Sequence, residues 1–409
     1  MTDRSLIGLN WLNLLVALMQ TGFGAFLSVF LTTHGWTGAE VGFALSVSAM
    51  AAMASQIPGG LLVDALASKR VAAGGAILLV VSAALLIGIW PNHRVVLLAA
   101  VLQGAASCVL GPSIAAITLA LAQKEVLGER FGHNVRFAAL GSVAAAAVMG
   151  AIGTWYSHRA TIILSAVAGC AALAALVAIR PADIAEAHTR TDHRAAPPKG
   201  VRPMPDRGWQ VASDPCLLIF GTCLGLFYLG NAWILPLAAN AIARTGWHGT
   251  ELVVAAAIIV PQLIAAALSP RIGRLAQIHG RRIVLLAGFA AMMLRALLLA
   301  MDGHPLLMIT FQALDGVSAA VLGVLIPLIV SDITHHRGRF NLAMGIVGLF
   351  MGVGTALSTL LGGAIADRFG DAPAFLALAA AGGAASLLVW RVLPETRHRP
   401  LARRVVRPA

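Results

Sequence analysis

Charge is what this 409-residue chain has least of. Asp, Glu, Lys and Arg make up 11% of it and apolar residues 59%, where soluble domains average roughly 25% and 45–50%. Water cannot solvate most of such a surface, which excludes a soluble fold and implies a lipid bilayer as the partner. Acids are scarcer than bases, 17 against 29, leaving a net charge of +12. In a soluble protein that excess would point to nucleic acid; here the placement of the bases gives another cause, and no nucleic-acid partner is expected. Cysteine is limited to Cys108, Cys170, Cys216 and Cys223, all in or beside apolar runs and none at metal-ligand spacing, so they read as small core residues. No metal site is expected. No phosphate loop or zinc spacing occurs, and no soluble segment is long enough to house a nucleotide. A clustered acid–base constellation is missing as well, so the chain is not read as an enzyme and no cofactor is expected. Alternating segments that would build a transmembrane barrel are absent.

What the chain does have is apolar runs of about 20 residues or more, each able to cross roughly 30 Å of hydrocarbon at 1.5 Å per residue. Bounded by polar or Pro/Gly clusters, they place helices near 6–31, 39–63, 71–90, 94–121, 134–156 and 159–179, then 214–242, 250–270, 283–302, 304–332, 340–365 and 372–393. The first run has no clear cleavage site after it and reads as a retained helix. Residues 181–213 carry Pro181, Pro197, Pro198, Pro203 and Pro205 among mixed charges, a composition opposed to a packed core. The expected organisation is an N-terminal six-helix bundle (1–180), a cytoplasmic linker (181–213), a C-terminal six-helix bundle (214–394) and a basic tail (395–409). Bases occupy alternate loops, with only Arg94, Arg159, Arg244 and Arg368 on the opposite side and Arg295 inside a span. The positive-inside rule then puts both termini in the cytoplasm of a bacterial-type cell, the protein spanning its cytoplasmic (inner) membrane.

The halves repeat at an offset of about 211 to 213 residues. Gly35-Trp36-Thr37-Gly38-Ala39-Glu40 recurs as Gly246-Trp247-His248-Gly249-Thr250-Glu251, Gln103-Gly104 as Asp315-Gly316, and Gly141 and Gly150 as Gly354 and Gly363. Several echoes at nearly one offset argue for two bundles related by a pseudo-twofold axis along the membrane normal. The stretch Gln56–Arg70 is read as a tight loop turned by Gly59 and Gly60. Its pattern Gly60-x-Leu62-Val63-Asp64, followed by Lys69 and Arg70, resembles the loop between helices 2 and 3 of the major facilitator superfamily, a family of membrane transporters. A second copy, Gly273-Arg274-Leu275-Ala276-Gln277-Ile278-His279-Gly280-Arg281-Arg282, carries a glycine and base that the first lacks and has Gln277 in place of the acid. The resemblance implies an all-α membrane protein with twelve transmembrane helices in two pseudo-symmetric six-helix bundles, working as a single chain on a small-molecule substrate.

In a spanning helix a polar or ionisable side chain needs a partner or a wet cavity. Helix 1 carries Asn10, Asn13, Ala17, Gln20, Gly24 and Ser28 at helical spacing, and Asn231 of helix 7 is the repeat partner of Gln20. In the family fold the first and fourth helices of each half line a central cavity, so the resemblance implies a substrate site of Gln20, Gln103, Ser107, Tyr228, Asn231, Gln312 and Asp315. The alternative is that these amides and hydroxyls join helices to one another. Arg295 on helix 9 and Asp315 on helix 10 fall at similar depth and are each other's obvious partner, resembling the arrangement of proton-coupled symporters; Ser318 stands where those carry a second titratable group. The alternative is that Arg295 reaches outward towards Asp302 while Asp315 is hydrogen-bonded and structural. The bases and glycines of the two loop motifs either set topology or form a latch, with Asp64 against the start of helix 11 and Arg281 and Arg282 against Asp332. The helix 5 glycines Gly141, Gly150 and Gly153 follow the antiporter spacing without its proline and equally suit close helix packing; helix 4 has Ala100 where many drug antiporters place an arginine. His335 and His336 read as solvated loop residues. The expected function is secondary active transport by alternating access, driven by the proton gradient, with proton-driven efflux as the alternative and a transport-inactive sensor as a weaker one.

Overall fold

A chain in hydrocarbon must satisfy its backbone N–H and C=O groups internally, which leaves the helix as the element for apolar runs of this length. The structure, a computed structural model, describes residues 3–184, 208–245, 250–301, 304–335 and 339–397. Pro197, Pro198, Pro203 and Pro205 of the linker, the Gly246–Gly249 echo, Asp302, His336 and the tail beyond 397 lie outside the described residues. Among those described, twelve helices are long and apolar enough to span a membrane: α1 (Arg4–Thr33), α2 (Gly38–Ala65), α3 (Lys69–Ile89), α4 (His93–Leu121), α5 (Lys124–Trp155), α6 (His158–Ala178), α7 (Pro215–Ile242), α8 (Val253–His279), α9 (Arg281–Met301), α10 (Leu306–Thr334), α11 (Phe340–Phe369) and α12 (Asp371–Arg391). Several starts are set by side chains: Thr37 and Glu40 form a reciprocal capping box on α2, Asn92 accepts from the Val95 N–H of α4, and Asp214 accepts from Cys216 and Leu217 on α7.

Three expectations are corrected. Helix 5 begins at Lys124, not near 134, so Arg130 belongs to a helix and not to a loop. Gly59 and Gly60 do not turn the chain, because α2 continues to Ala65; only Leu66 to Ser68 connect it to α3. Helix 8 runs on to His279, which puts Gly273 within it. Polar residues misled the reading at the ends of helices 5 and 8, which continue through them, and glycine misled it at Gly59 and Gly60, where close helix approach and not a turn is what requires it.

Packing follows one pattern twice. In the first half α1 lies against α5 and α6, α2 against α4, and α3 against α4 and α6; in the second α7 lies against α11 and α12, α8 against α10, and α9 against α10 and α12. The repeated glycines are where backbones meet. A Cβ at Gly104 would overlap the Ser48 carbonyl of α2, and one at Gly316 the Pro261 carbonyl of α8. Gly141 meets the Leu14 carbonyl of α1 in the same way that Gly354 meets the Gly225 carbonyl of α7. Gly141 therefore permits close helix packing, whereas Gly150 has open space.

The halves join along two seams, α5 with α8 and α2 with α11. Gly273 abuts the Gly128 carbonyl in the first seam, and Gly60 abuts the Asn341 carbonyl in the second. Gly132 packs on Ser269, and Gly345 and Gly348 pack on Gln56. These approaches lie at the end of the molecule that carries Asp64, so the halves are closed together on that side. Two helices are broken at matching places: α1 by a π-helical turn at Gly22–Phe26, with Gly24 at φ −95° and ψ −114°, and α7 between Asn231 and Ile234.

Candidate functional site

Between the halves lies a cavity of about 760 Å³, within the range usual for small-molecule sites. Its wall is mostly apolar, with Phe131, Phe227, Leu322 and Met351 among amides, hydroxyls and one carboxylate. Gln20, Gln103, Ser107, Tyr228, Asn231 and Asp315 all line it. Gln312 does not: it is buried, 1% exposed, and accepts a hydrogen bond from Arg295. Asn13, Gln56, Asn134 and Ser318 also line the cavity. The signal that picks out Gln20, an amide inside an apolar run, applies equally to Gln56 on α2 and Asn134 on α5, but those helices fall outside the set that the resemblance singles out.

Arg295 organises one wall. Its side chain is 1% exposed and forms an ion pair with Asp315, whose side chain is 31% exposed. The guanidinium also donates to Gln312 Oε1 at 3.0 Å and to Asn231 Oδ1 at 2.6 Å. One buried cation thus ties together an amide of α7, an amide of α10 and the carboxylate that faces the cavity. Across the cavity the hydrogen bonds are neutral: Ser48 donates to Gln103 Oε1 at 2.6 Å, and Gln103 Nε2 donates to Ser107 Oγ at 3.1 Å. Gln20, the repeat counterpart of Asn231, has no hydrogen-bond partner among the described residues. The two amides precede the two helix breaks, yet only Asn231 is held by charge.

The loop motifs meet helix ends. Asp64 Oδ1 accepts from the Asn341 backbone N–H at 3.2 Å and its side-chain amide at 2.8 Å, and Oδ2 accepts from the Leu342 N–H at 2.9 Å. A carboxylate there satisfies unpaired N–H groups at the start of α11 and complements its dipole. Lys69 and Arg70 serve helix C-termini within their own half: Lys69 Nζ donates to the carbonyls of Val63 and Leu66, and Arg70 to that of Leu176. Arg281 pairs with Asp332 at 3.0 Å. Arg282 does not pair with Asp332; its backbone N–H donates to Glu395, as does that of Arg281. Glu395 thus caps α9 from beyond α12, a role unforeseen because its place in the tail separates it from the motif by more than a hundred residues. Burial raises the Glu395 proton affinity, but the N–H groups of Arg281, Arg397 and Arg282 and the Arg281 charge outweigh it and hold the carboxyl below its usual range. Gly280, at φ +98°, makes the turn between α8 and α9, where a side chain would also strike the Glu395 carboxylate. Gln277 Nε2 donates to the Lys124 carbonyl at 3.0 Å, so the second motif touches α5 through an amide where the first touches α11 through an acid. Among the described residues no cluster of His, Cys, Asp and Glu is arranged to hold a metal ion.

Comparison with known proteins places this arrangement. The family model of the Major Facilitator Superfamily matches residues 9–226 and 216–408. An uncharacterised MFS-type transporter of Mycobacterium tuberculosis is 31% identical over 389 residues, covering 95% of this chain and 93% of the relative. A multidrug resistance efflux pump PmrA homolog of Lactococcus lactis is 27% identical over 42% of each chain, and the multidrug resistance protein MdtG of Salmonella typhi is 30% identical over 38% of this chain and 39% of its own. Among solved structures, the proton:xylose symporter XylE bound to 6-bromo-6-deoxy-D-glucose superposes with a TM-score of 0.72 over 97% of both chains, at 13% identity. That likeness is one of fold.

Proposed function

The chain belongs to the major facilitator superfamily and is a multi-pass membrane transporter, and from that premise we propose that it moves a small solute through the central cavity by alternating access, coupled to protons at Asp315. The observation that carries the proposal is the pair of Arg295, fully buried, with Asp315, partly open to the cavity. A carboxylate in that position changes its proton affinity as its contact with the arginine and with water changes, which is what a carrier needs when the cavity opens to alternate sides. Arg295 also holds Asn231. Protonating Asp315 weakens its hold on the guanidinium and so acts on a residue of the solute wall, giving the proton and the solute a shared side chain. In this reading the Asp64 side is cytoplasmic, both termini lie there, and the conformation is closed to the cytoplasm.

The test is transport in proteoliposomes. Asp315→Asn is expected to abolish proton-driven accumulation and to preserve exchange of labelled for unlabelled solute, because the amide keeps the shape and cannot release a proton. Accumulation against a gradient by this variant would remove Asp315 as the carrier. A second reading, proton-driven export, is favoured by the partial likeness to two relatives described as multidrug efflux or resistance proteins; inverted vesicles that accumulate solute on acidification of their lumen would support it.

A further inference from the structure

Below the cavity floor, toward the Asp64 side, α5 carries a cation with no acidic partner among the described residues. Arg130 donates to Asn10 Oδ1 at 2.5 Å and to Asn134 Oδ1 at 3.2 Å, and its Nε, buried, has no partner among the described residues. Asn134 in turn donates to Thr118 Oγ1 at 2.7 Å. Among the described residues no carboxylate pairs with Arg130. Glu129, next in sequence, is turned away into an ion pair with Arg274 at 2.8 Å. The other charged or titratable groups on this part of α5 are His133 and Arg136, and Arg136 Nε donates to the Ala266 carbonyl across the seam.

Position gives the cluster its meaning. Asn13, Ile114 and Asn134 line the cavity. Asn10, Thr118 and Arg130 stand three or four residues from them along α1, α4 and α5, which is one helical turn further toward the Asp64 side on the same faces. The polar stripe of the cavity therefore continues past the floor and ends on a guanidinium. A partly buried cation whose described partners are neutral oxygens is poorly compensated, and a guanidinium fork is the side chain best shaped to take an oxyanion through two hydrogen bonds.

We infer that Arg130, with Asn10, Asn134 and Thr118, forms a second solute-binding station on the N-terminal half, which receives a carboxylate or phosphate group of the transported solute when the Asp64 side opens. The inference rests on the transporter reading and adds the substrate class: an organic anion, small enough for the cavity and apolar at its other end, to suit the phenyl and leucyl walls.

The test uses the full-length purified protein and its thermal unfolding. Monocarboxylates from acetate to decanoate and from benzoate to larger aromatic acids are compared with their primary amides, and inorganic phosphate with alkyl phosphates forms a separate arm. At least one acid is expected to raise the unfolding temperature of the native protein where its amide does not, and Arg130→Gln is expected to weaken that apparent affinity roughly tenfold to a hundredfold. Arg130→Lys keeps the charge without the fork and is expected to fall between the two; it also serves if the glutamine variant does not fold. Whether carboxylates or phosphates give the shift identifies the oxyanion. Stabilisation by neutral or cationic compounds alone, no acid-specific shift, or an acid shift unchanged by Arg130→Gln overturns the inference. The outcome is separate from that of Asp315→Asn, because loss of proton dependence leaves anion binding intact and loss of anion binding leaves proton-driven transport of another solute intact.

Discussion

Arg295 is the residue whose environment most constrains the rest of the site. Three oxygen-bearing side chains from α7 and α10 converge on one guanidinium, so removing it leaves a carboxylate and an amide at the cavity wall, and the buried amide of Gln312, without their shared donor. Arg295→Ala is expected to lower stability by about 3–5 kcal/mol, the usual loss when one partner of a buried pair is deleted. Adding Asp315→Ala should recover part of it, because the uncompensated charge leaves with the side chain. Denaturant midpoints of the single and double variants in detergent check this; equal losses in both would show that Arg295 acts without Asp315. The contact itself was legible in the sequence, since a lone Arg and a lone Asp at matched depth in adjacent helices have few other ways to be neutralised. The amide partners were not, because Gln312 reads as a cavity residue until packing shows that it sits behind the arginine.

At the scale of elements, helix ends and glycine contacts decide whether one side of the molecule is closed. Asp64 caps α11 while Gly60 lets the same two helices touch; Gly273 and Gly128 do the same for α8 and α5. Asp64→Asn removes an anion from a helix N-terminus, a change of about 1 kcal/mol, which shifts the balance between closed and open forms roughly fivefold. Gly273→Val inserts a branched side chain where backbones are in contact and should disfavour closure far more strongly. Both are expected to speed the reaction of a cysteine placed at Asn134 with a thiol reagent added on the Asp64 side, the valine variant more so. Unchanged labelling rates would mean that these contacts do not hold the gate. The motif residues were visible in the sequence, but their task was misread at Gly59 and Gly60: a helix that needs close approach and a turn that needs conformational freedom both select glycine, and only the path of α2 separates the two.

The whole molecule is two copies of one packing plan, and its function depends on where the copies differ. Gln20 and Asn231 are related by the repeat and both line the cavity, yet Asn231 is bound to Arg295 and Gln20 has no partner among the described residues. Gln20→Ala is therefore expected to leave unfolding temperature nearly unchanged while weakening solute binding. Asn231→Ala should weaken binding and lower stability as well, since it removes an acceptor from a buried cation. Thermal unfolding with and without a transported solute separates the two effects; equal stability loss at both positions would mean that the halves are energetically alike. Charge follows the same asymmetry. The second half holds its intramembrane cation against a carboxylate, and the first holds Arg130, among the described residues, against neutral oxygens.

The amino-acid sequence by itself determined the solvent, the number of spans and their division into related halves. Those follow from one-dimensional quantities: too little charge for water, runs long enough for hydrocarbon, and echoes at a constant offset. Glycine positions already encoded the close contacts, because a missing side chain is written in the chain even when its neighbour is not. Which backbone each glycine meets, that Glu395 caps α9 across more than a hundred residues, and that Arg130 lies below the cavity against the oxygens of Asn10 and Asn134 were decided only by the tertiary structure. Partnership between distant side chains depends on the direction each takes from its helix and on the side of the molecule that is closed, and neither is a property of local sequence.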